Sequence, residues 1–100
     1  MTIIFTDLAR QDLDAIVGYV SSELHNPAAA NNLLGKLLKR VGVLKQFPEV
    51  GSRIKINDTL TQSRYLVIDN YLMLYVVKKE AIYITRIVYG QSGYLRLLSE

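Results

Sequence analysis

The sequence predicts an α+β fold in which an N-terminal strand and a hairpin of two antiparallel helices pack on a small, mostly antiparallel sheet that ends in a β-meander. Apolar residues recur at helical spacing through the first half of the chain, with one break near residue 26. The second half holds three short runs rich in Tyr, Val, Ile and Leu, which favour strands. With 100 residues, half of them apolar, the chain has the size of one domain, spanning residues 1–100.

The first helix is predicted to follow a short strand. Residues 2–5 form an apolar run, and Thr6 after them suits the N-cap position of a helix. Several carboxylates lie early in the next segment, where they favour the positive end of the helix dipole. The apolar stripe that defines this helix consists of Ala9, Leu13, Ile16, Val17, Val20 and Leu24. We therefore expect a helix over residues 7–24 whose stripe faces the core.

A second helix is predicted to begin at Asn26-Pro27, where an N-cap residue precedes a proline at the first helical position. Its apolar stripe continues to about residue 46, and Phe47-Pro48 ends it. Leu38 and Val43 lie off this stripe and widen the apolar surface of the helix. A partner protein could bury them, but we favour packing against the sheet or the first helix.

Three consecutive strands are predicted between residues 64 and 94. Polar pairs at Asp69-Asn70 and Lys79-Glu80 suit two-residue hairpin turns, and Gly90 ends the third strand. The preceding segment, residues 51–62, is polar and basic, so it either loops out or adds a short extension to the sheet. Residues 92–98 are expected to form a short helix or an irregular tail. The two helices must cover one face of the sheet, because their stripes have no other surface to bury.

One arginine interrupts the apolar pattern of the third strand. By the two-residue period, one face of this strand carries Ile82, Ile84, Arg86 and Val88, and the other carries Tyr83, Thr85, Ile87 and Tyr89. Arg86 either extends its side chain to the sheet edge or pairs with a carboxylate such as Asp69. The alternative is that it contributes to the function of an open sheet face. That open face would present some of the residues Arg64, Tyr65, Tyr71, Arg86, Tyr89 and Tyr94.

The charge distribution favours contact with nucleic acid. The net charge is +3, and the whole positive excess lies in residues 51–100, which also hold six of the seven tyrosines. Cations and aromatic rings together suit single-stranded nucleic acid, because the cations bind phosphates and the rings stack on bases.

Composition and patterning also argue against several classes of protein. The chain has no cysteine, which removes disulfides, thiolate nucleophiles and zinc–cysteine sites. Its single histidine, His25, has no companion at ligand spacing, so we expect no metal and no cofactor. The N-terminus does not resemble a signal peptide, and no apolar run approaches the roughly 18 residues of a membrane span. We expect a cytoplasmic protein without membrane contact.

Four segments carry a resemblance that covers nearly the whole chain. They are IIFTDLARQDLDAIVGYV at the opening strand and first helix, LLKRVGVLKQFPEVGSRI at the second helix and its turn, and SRYLVIDNYLMLYVV and AIYITRIVYG in the strands. In order and spacing they resemble the RelE/ParE superfamily of toxins from type II toxin–antitoxin systems. The resemblance implies a bacterial toxin that arrests growth and is neutralised by a cognate antitoxin. One branch of the superfamily cleaves mRNA in the ribosomal A site, and the other poisons DNA gyrase.

The resemblance also implies residues for RNA cleavage. Such cleavage needs a group that accepts the proton of the 2′-hydroxyl, a group that protonates the leaving oxygen, and cations that stabilise the phosphate charge. Two arginines match the sheet arginines of the superfamily, and one tyrosine stands where many members carry histidine. The predicted catalytic residues are therefore Arg64, Arg86 and Tyr89. The predicted RNA- or phosphate-binding residues are Arg53, Lys55 and Tyr94.

These residues leave three functions open. The basic, tyrosine-rich sheet favours a ribosome-dependent mRNA interferase, which would be a metal-independent endoribonuclease acting on mRNA on the ribosome. The alternative is a non-enzymatic inhibitor of DNA gyrase. The Phe-Pro-Glu turn looks closer to that branch, and the His-Gly ending of many members reads Tyr89-Gly90 here. The third reading is a degenerate toxin that acts only by binding its antitoxin.

Overall fold

The computed structural model describes residues 1–90 of the chain. The elements in chain order are β1 (Thr2–Phe5), α1 (Asp7–Gly18), a π-helical turn (Tyr19–Glu23), α2 (Pro27–Gln46), β2 (Ser52–Ile56), β3 (Thr59–Ile68), β4 (Tyr71–Val77) and β5 (Ala81–Tyr89). This order confirms the predicted strand, helical hairpin and mostly antiparallel sheet. The tail predicted over residues 92–98 lies outside the described residues.

The five strands form one sheet in the order β1-β5-β4-β3-β2. β1 runs parallel to β5, and every other neighbouring pair is antiparallel.

Thr6 fixes the junction between β1, α1 and β5. Its Oγ1 accepts a hydrogen bond of 3.2 Å from the backbone N–H of Ala9, as an N-cap does, and donates one of 3.1 Å to the carbonyl of Thr85. The first strand and the last described strand are therefore held side by side.

Helix α2 begins and ends where the sequence predicts. The Oδ1 atom of Asn26 accepts a hydrogen bond of 3.1 Å from the N–H of Ala29, and Pro27 takes the first helical position. Leu38, which we expected to pack against the sheet or the first helix, is instead 68% exposed, while Val43 is half-buried. Within residues 1–90, no helix is both long and apolar enough to cross a membrane.

The main core lies between the helices and one face of the sheet. Its buried residues are Ala9, Leu33, Leu37, Leu44, Leu66, Ile68, Met73, Tyr75, Ile82, Ile84 and Ile87. Because residues alternate along β4, Leu72 and Leu74 point to the opposite face, where they form a second, smaller cluster with Ile54. The face that the sequence suggested to be open therefore has apolar packing of its own, against which Tyr65 and Val88 also lie.

The first helix departs from the prediction at its C-terminal end. α1 ends at Gly18 and continues as the π-helical turn, in which the N–H of Leu24 donates to the carbonyl of Tyr19 at 3.2 Å. A π-helical turn contains an extra residue, so the apolar stripe loses its register there. Leu24, predicted on the buried stripe, is consequently 55% exposed.

β5 contains a bulge that changes the faces predicted for it. The consecutive β4 residues Leu74 and Tyr75 lie opposite Arg86 and Ile84, so residue 85 is an extra residue of β5. The two-residue alternation does not continue through this bulge. Ile87, predicted on the face opposite Ile84, joins it in the main core.

The polar segment before the predicted meander extends the sheet. β2 and β3 form a hairpin whose tip is Asn57-Asp58, and both tip residues have positive φ angles, 52° and 63°. β2 is thus an outer strand of the sheet. In this hairpin Arg53 lies directly opposite Arg64.

Candidate functional site

An exposed apolar turn follows helix α2. The N–H of Phe47 bonds to the carbonyl of Val43 at 2.8 Å, and the N–H of Val50 bonds to the carbonyl of Phe47 at 3.1 Å. Phe47 is 62% exposed and Val50 is 50% exposed. We call residues 47–51 the Phe-Pro turn. It borders an open cavity of about 670 Å³ whose lining residues are Met1, Gln46, Phe47, Pro48, Glu49, Val50 and Val77.

A buried tyrosine holds this turn against the sheet. The hydroxyl of Tyr75 accepts a hydrogen bond of 2.8 Å from the N–H of Gly51 and donates one of 2.9 Å to the carbonyl of Pro48. Burial raises the pKa of Tyr75, and this outweighs the opposing effects of the Gly51 N–H and the Arg64 charge, so the hydroxyl stays protonated and able to donate. A Cβ at residue 51 would lie 2.6 Å from the Tyr75 hydroxyl and 2.7 Å from the carbonyl oxygen of Tyr65. Only glycine fits there.

Arg64, predicted to be catalytic, binds the same turn. Its Nη1 donates to the carbonyl of Gly51 at 2.8 Å and to the carbonyl of Glu49 at 3.1 Å. On the sheet it lies between Arg53 of β2 and Tyr75 of β4. Tyr75 and Arg64 therefore hold the Phe-Pro turn together, one by a neutral hydroxyl and the other by a charged guanidinium.

Arg86, the second predicted catalytic arginine, pairs with helix α1. Its Nε lies 2.7 Å from Oδ2 of Asp12, and its Nη2 lies 3.0 Å from Oδ1. Oδ2 also accepts a hydrogen bond of 2.9 Å from the N–H of Ile87. Burial alone would raise the pKa of Asp12, but the hydrogen bonds from Arg86 and Ile87 and the Arg86 charge together lower it below its usual value. Asp12 is therefore ionised at neutral pH.

The carboxylate suggested for Arg86 has a different partner. Asp69 binds the Nζ of Lys36 on α2 through both carboxylate oxygens, at 3.0 and 3.1 Å. The sequence interpretation that Arg86 pairs with a carboxylate is thus correct, while Asp69 as that carboxylate is wrong. Asp12 and Asp69 each join one helix to the sheet.

Tyr89 lies in a cluster of tyrosines beside α1. Its ring makes an edge-to-face contact with the ring of Tyr71, with centroids 5.8 Å apart and planes at 73°. Together with Ala15, Ile16 and Tyr19 these rings line a cavity of about 450 Å³. Burial raises the pKa of Tyr71, and the neighbouring Tyr89, Tyr19 and Asp69 raise it further.

The structure does not bring the predicted RNA-binding residues together at one described site. Arg53 donates from Nε to the carbonyl of Thr61 at 3.0 Å, and Lys55 is exposed on the outer strand β2. Tyr94 lies outside the described residues. His25 is exposed in the connection between the helices, with a φ of 50°. Among residues 1–90, no group of three or more His, Cys, Asp or Glu side chains is placed to hold a metal ion.

Sequence reasoning missed the contacts that organise this site. Tyr75 stands in the middle of a buried aliphatic strand, and a buried tyrosine hydroxyl normally requires a hydrogen-bond partner. Gly51 follows directly on the Phe-Pro-Glu-Val run, where a close backbone approach explains a glycine. Tyr75 and Gly51 are therefore the two residues of the sequence from which the contact between the turn and the sheet could have been predicted.

The comparisons with known proteins agree with this architecture. No curated protein sequence matches the chain. The solved structure described as "Chromosomal ParDE TA system from P. aeruginosa" is similar to it, with a TM-score of 0.70 and 25% sequence identity over 89% of this chain and 95% of that chain. The family model described as the ParE toxin of the type II toxin–antitoxin system parDE matches residues 3–94. The chain therefore belongs to the ParE family of type II toxins.

Proposed function

We propose that this toxin acts by binding and inhibiting DNA gyrase rather than by cleaving RNA. The observation that carries the proposal is that Arg64 donates hydrogen bonds to two backbone carbonyls of the Phe-Pro turn. A guanidinium with these partners stabilises an exposed turn that can serve as a binding surface. The membership of the ParE family supports the same reading, because the gyrase-inhibiting branch of the superfamily is the ParE type.

The separation of the two sheet arginines also supports a non-catalytic role. β4 lies between the strands that carry Arg64 and Arg86, and two strand spacings amount to about 10 Å. Arg64 reaches the Phe-Pro turn, while Arg86 reaches Asp12 on α1. RNA cleavage needs cations that converge on one phosphate, and these two guanidinium groups are bound at different places.

The exposed apolar side of the Phe-Pro turn is the surface that we assign to gyrase. Phe47 and Val50 are large, exposed and held on a turn whose backbone is fixed at Pro48, Glu49 and Gly51. A binding surface gains affinity when it is ordered before contact, because less conformational entropy is lost on association. An aromatic residue on such a surface is a typical energetic centre of an interface.

A cognate antitoxin is the second partner that we propose. The similar solved structure is a ParDE toxin–antitoxin system, and the family is defined as the toxin of parDE. Co-expression with an antitoxin encoded beside the gene is expected to restore growth. A co-expressed neighbour that leaves growth arrest unchanged would contradict this assignment.

Cleavage of mRNA remains a second candidate. The observation that favours it is the pair Arg53 and Arg64, which lie opposite each other on β2 and β3 and bring two cations together. The test of both candidates is a supercoiling assay with purified gyrase and the purified toxin. Inhibition of supercoiling supports the main proposal, and a folded toxin that leaves gyrase fully active contradicts it.

A matched pair of variants makes this assay specific for the turn. Phe47→Ser removes the aromatic ring from the Phe-Pro turn, and we expect it to raise the toxin concentration needed for inhibition about tenfold or more. Leu60→Ser removes an exposed apolar side chain from the β2–β3 hairpin instead and should leave inhibition unchanged. Equal losses in both variants would contradict the assignment of the turn.

A further inference from the structure

Helix α2 carries only positive charge. Its four cations are Lys36, Lys39, Arg40 and Lys45, and it contains no carboxylate. The first three are spaced three and four residues apart, so they share one side of the helix. They border a cavity of about 310 Å³ whose other lining residues are Val67, Ile68 and Asp69 at the end of β3.

The cavity keeps a positive excess despite its carboxylate. Asp69 is bound by Lys36 through both oxygens, so this pair largely neutralises itself. Lys39 and Arg40 then leave an excess of two positive charges over the lining residues. Such an excess on a concave surface attracts anions.

Arg40 has an unused hydrogen-bond donor beside this cavity. Its Nε is shielded from solvent, and it is a buried side-chain nitrogen without a hydrogen-bond partner among residues 1–90. A buried donor without a partner is unfavourable, and native structures normally satisfy such groups. A guanidinium that turns into the cavity would bring Nε and a terminal nitrogen to one oxyanion as two parallel hydrogen bonds.

We propose that this side of α2, formed by Lys36, Lys39 and Arg40, binds the phosphate backbone of duplex DNA. This inference rests on the proposed function, because gyrase acts on DNA and a toxin bound to gyrase would lie close to that DNA. Phosphates are contacted by lysine and arginine side chains without any reading of base sequence.

The lining of the cavity distinguishes duplex DNA from other anionic partners. An acidic peptide would need an apolar or aromatic anchor, and among residues 1–90 the only exposed apolar residue in the lining is Val67. Single-stranded nucleic acid needs aromatic rings on which bases stack, and none of the aromatic residues that the structure describes lines the cavity. A duplex offers phosphates while its bases remain stacked, which matches a lining of cations without rings.

Binding of a labelled duplex by the purified toxin tests this inference in the absence of gyrase. Fluorescence anisotropy would be measured over a range of salt concentrations for the wild type, Arg40→Gln and Lys39→Gln. Each variant is expected to weaken binding several-fold. The plot of log K against log salt has a negative slope, and each variant should make this slope less steep by about one. Lys79→Gln, in the turn between β4 and β5, removes the same charge and should leave the slope unchanged.

Several outcomes would overturn the inference. They are an affinity of Arg40→Gln and Lys39→Gln equal to that of the wild type, an equal loss in Lys79→Gln, and tighter binding of a single strand of the same length. Displacement of the duplex by a glutamate-rich peptide more readily than by a competing unlabelled duplex would assign the surface to an acidic protein. Thermal unfolding of each variant checks that the fold is intact.

The two proposals fail separately. A wild type that binds the duplex through Arg40 but leaves gyrase active would contradict the gyrase proposal and keep the DNA site. The DNA site alone would be contradicted if the wild type inhibits gyrase and Arg40→Gln matches it both in gyrase inhibition and in affinity for the duplex.

Discussion

The carboxylate of Asp12 and the guanidinium of Arg86 form two parallel hydrogen bonds, 2.7 and 3.0 Å long, that join α1 to β5. The pair sits beside the β5 bulge, and Asp12 also accepts the N–H of Ile87 just beyond it. The Asp12 carboxylate thus accepts hydrogen bonds from both a charged side chain and a backbone N–H. Arg86 has a structural role in this arrangement, which accounts for an arginine in an otherwise apolar strand.

Asp12→Asn is expected to destabilise the fold by about 2 kcal/mol. The substitution removes the charge of a charge-assisted, bidentate contact while keeping the size of the side chain. Chemical denaturation monitored by circular dichroism would measure the free energy of unfolding. Asp14→Asn, at an exposed carboxylate of the same helix, is the control and should change stability by less than about 0.5 kcal/mol. An equal effect of both variants would contradict a structural role for the pair.

The same pair makes stability depend on pH in a definite direction. The pKa of Asp12 is lowered in the folded protein, so its contribution is fully present above the unfolded value of about 3.9 and is lost as pH falls through the folded pKa. The difference in unfolding free energy between wild type and Asp12→Asn should therefore shrink on acidification below about pH 4. A difference that stays constant with pH would show that the charge of Asp12 does not contribute.

Tyr75→Phe is expected to cost about 1–3 kcal/mol and to loosen the Phe-Pro turn. It removes the hydroxyl that accepts the N–H of the buried Gly51, and that donor is then left without a partner. Hydrogen exchange of the Gly51 amide would accelerate more than that of amides in β4. Unchanged protection of this amide would mean that Arg64 alone holds the turn.

Gly51→Ala should destabilise the protein by about 1–3 kcal/mol, because the added Cβ meets the carbonyl oxygen of Tyr65 at 2.7 Å and that backbone atom cannot move freely. Gly42→Ala is the matched control. No atom lies within 4 Å of its added Cβ, and alanine favours a helix interior, so this variant should gain up to about 1 kcal/mol. Thermal unfolding would measure both changes, and a change of stability in the same direction for both variants would contradict the close packing around Gly51.

The elements that follow from local signals were predictable from the sequence. Thr6 and Asn26 cap helices through bonds to residues three positions ahead, and Asp69-Asn70 closes a two-residue turn, so neighbouring residues are enough to identify them. The partner of Arg86 was not predictable in this way. Asp12 is 74 residues away, and its position depends on how α1 packs on β5.

The placement of the predicted catalytic residues on β5 was less predictable, because a register shift within that strand decides it. The bulge at Thr85 changes which residues of β5 share a face, and the sequence pattern through this strand is compatible with simple alternation. The grouping of Arg64, Arg86 and Tyr89 as one catalytic site stays a prediction. In the structure Arg64 holds the Phe-Pro turn, Arg86 holds α1, and Tyr89 packs on Tyr71.

The most direct test is to express the chain alone in bacteria and to follow plasmid supercoiling and mRNA integrity in the same arrested cells. The gyrase proposal predicts growth arrest with altered plasmid supercoiling and intact mRNA. Primer extension that reveals cleavage at ribosomal A sites, together with unchanged plasmid supercoiling, would contradict it and would establish the interferase activity instead.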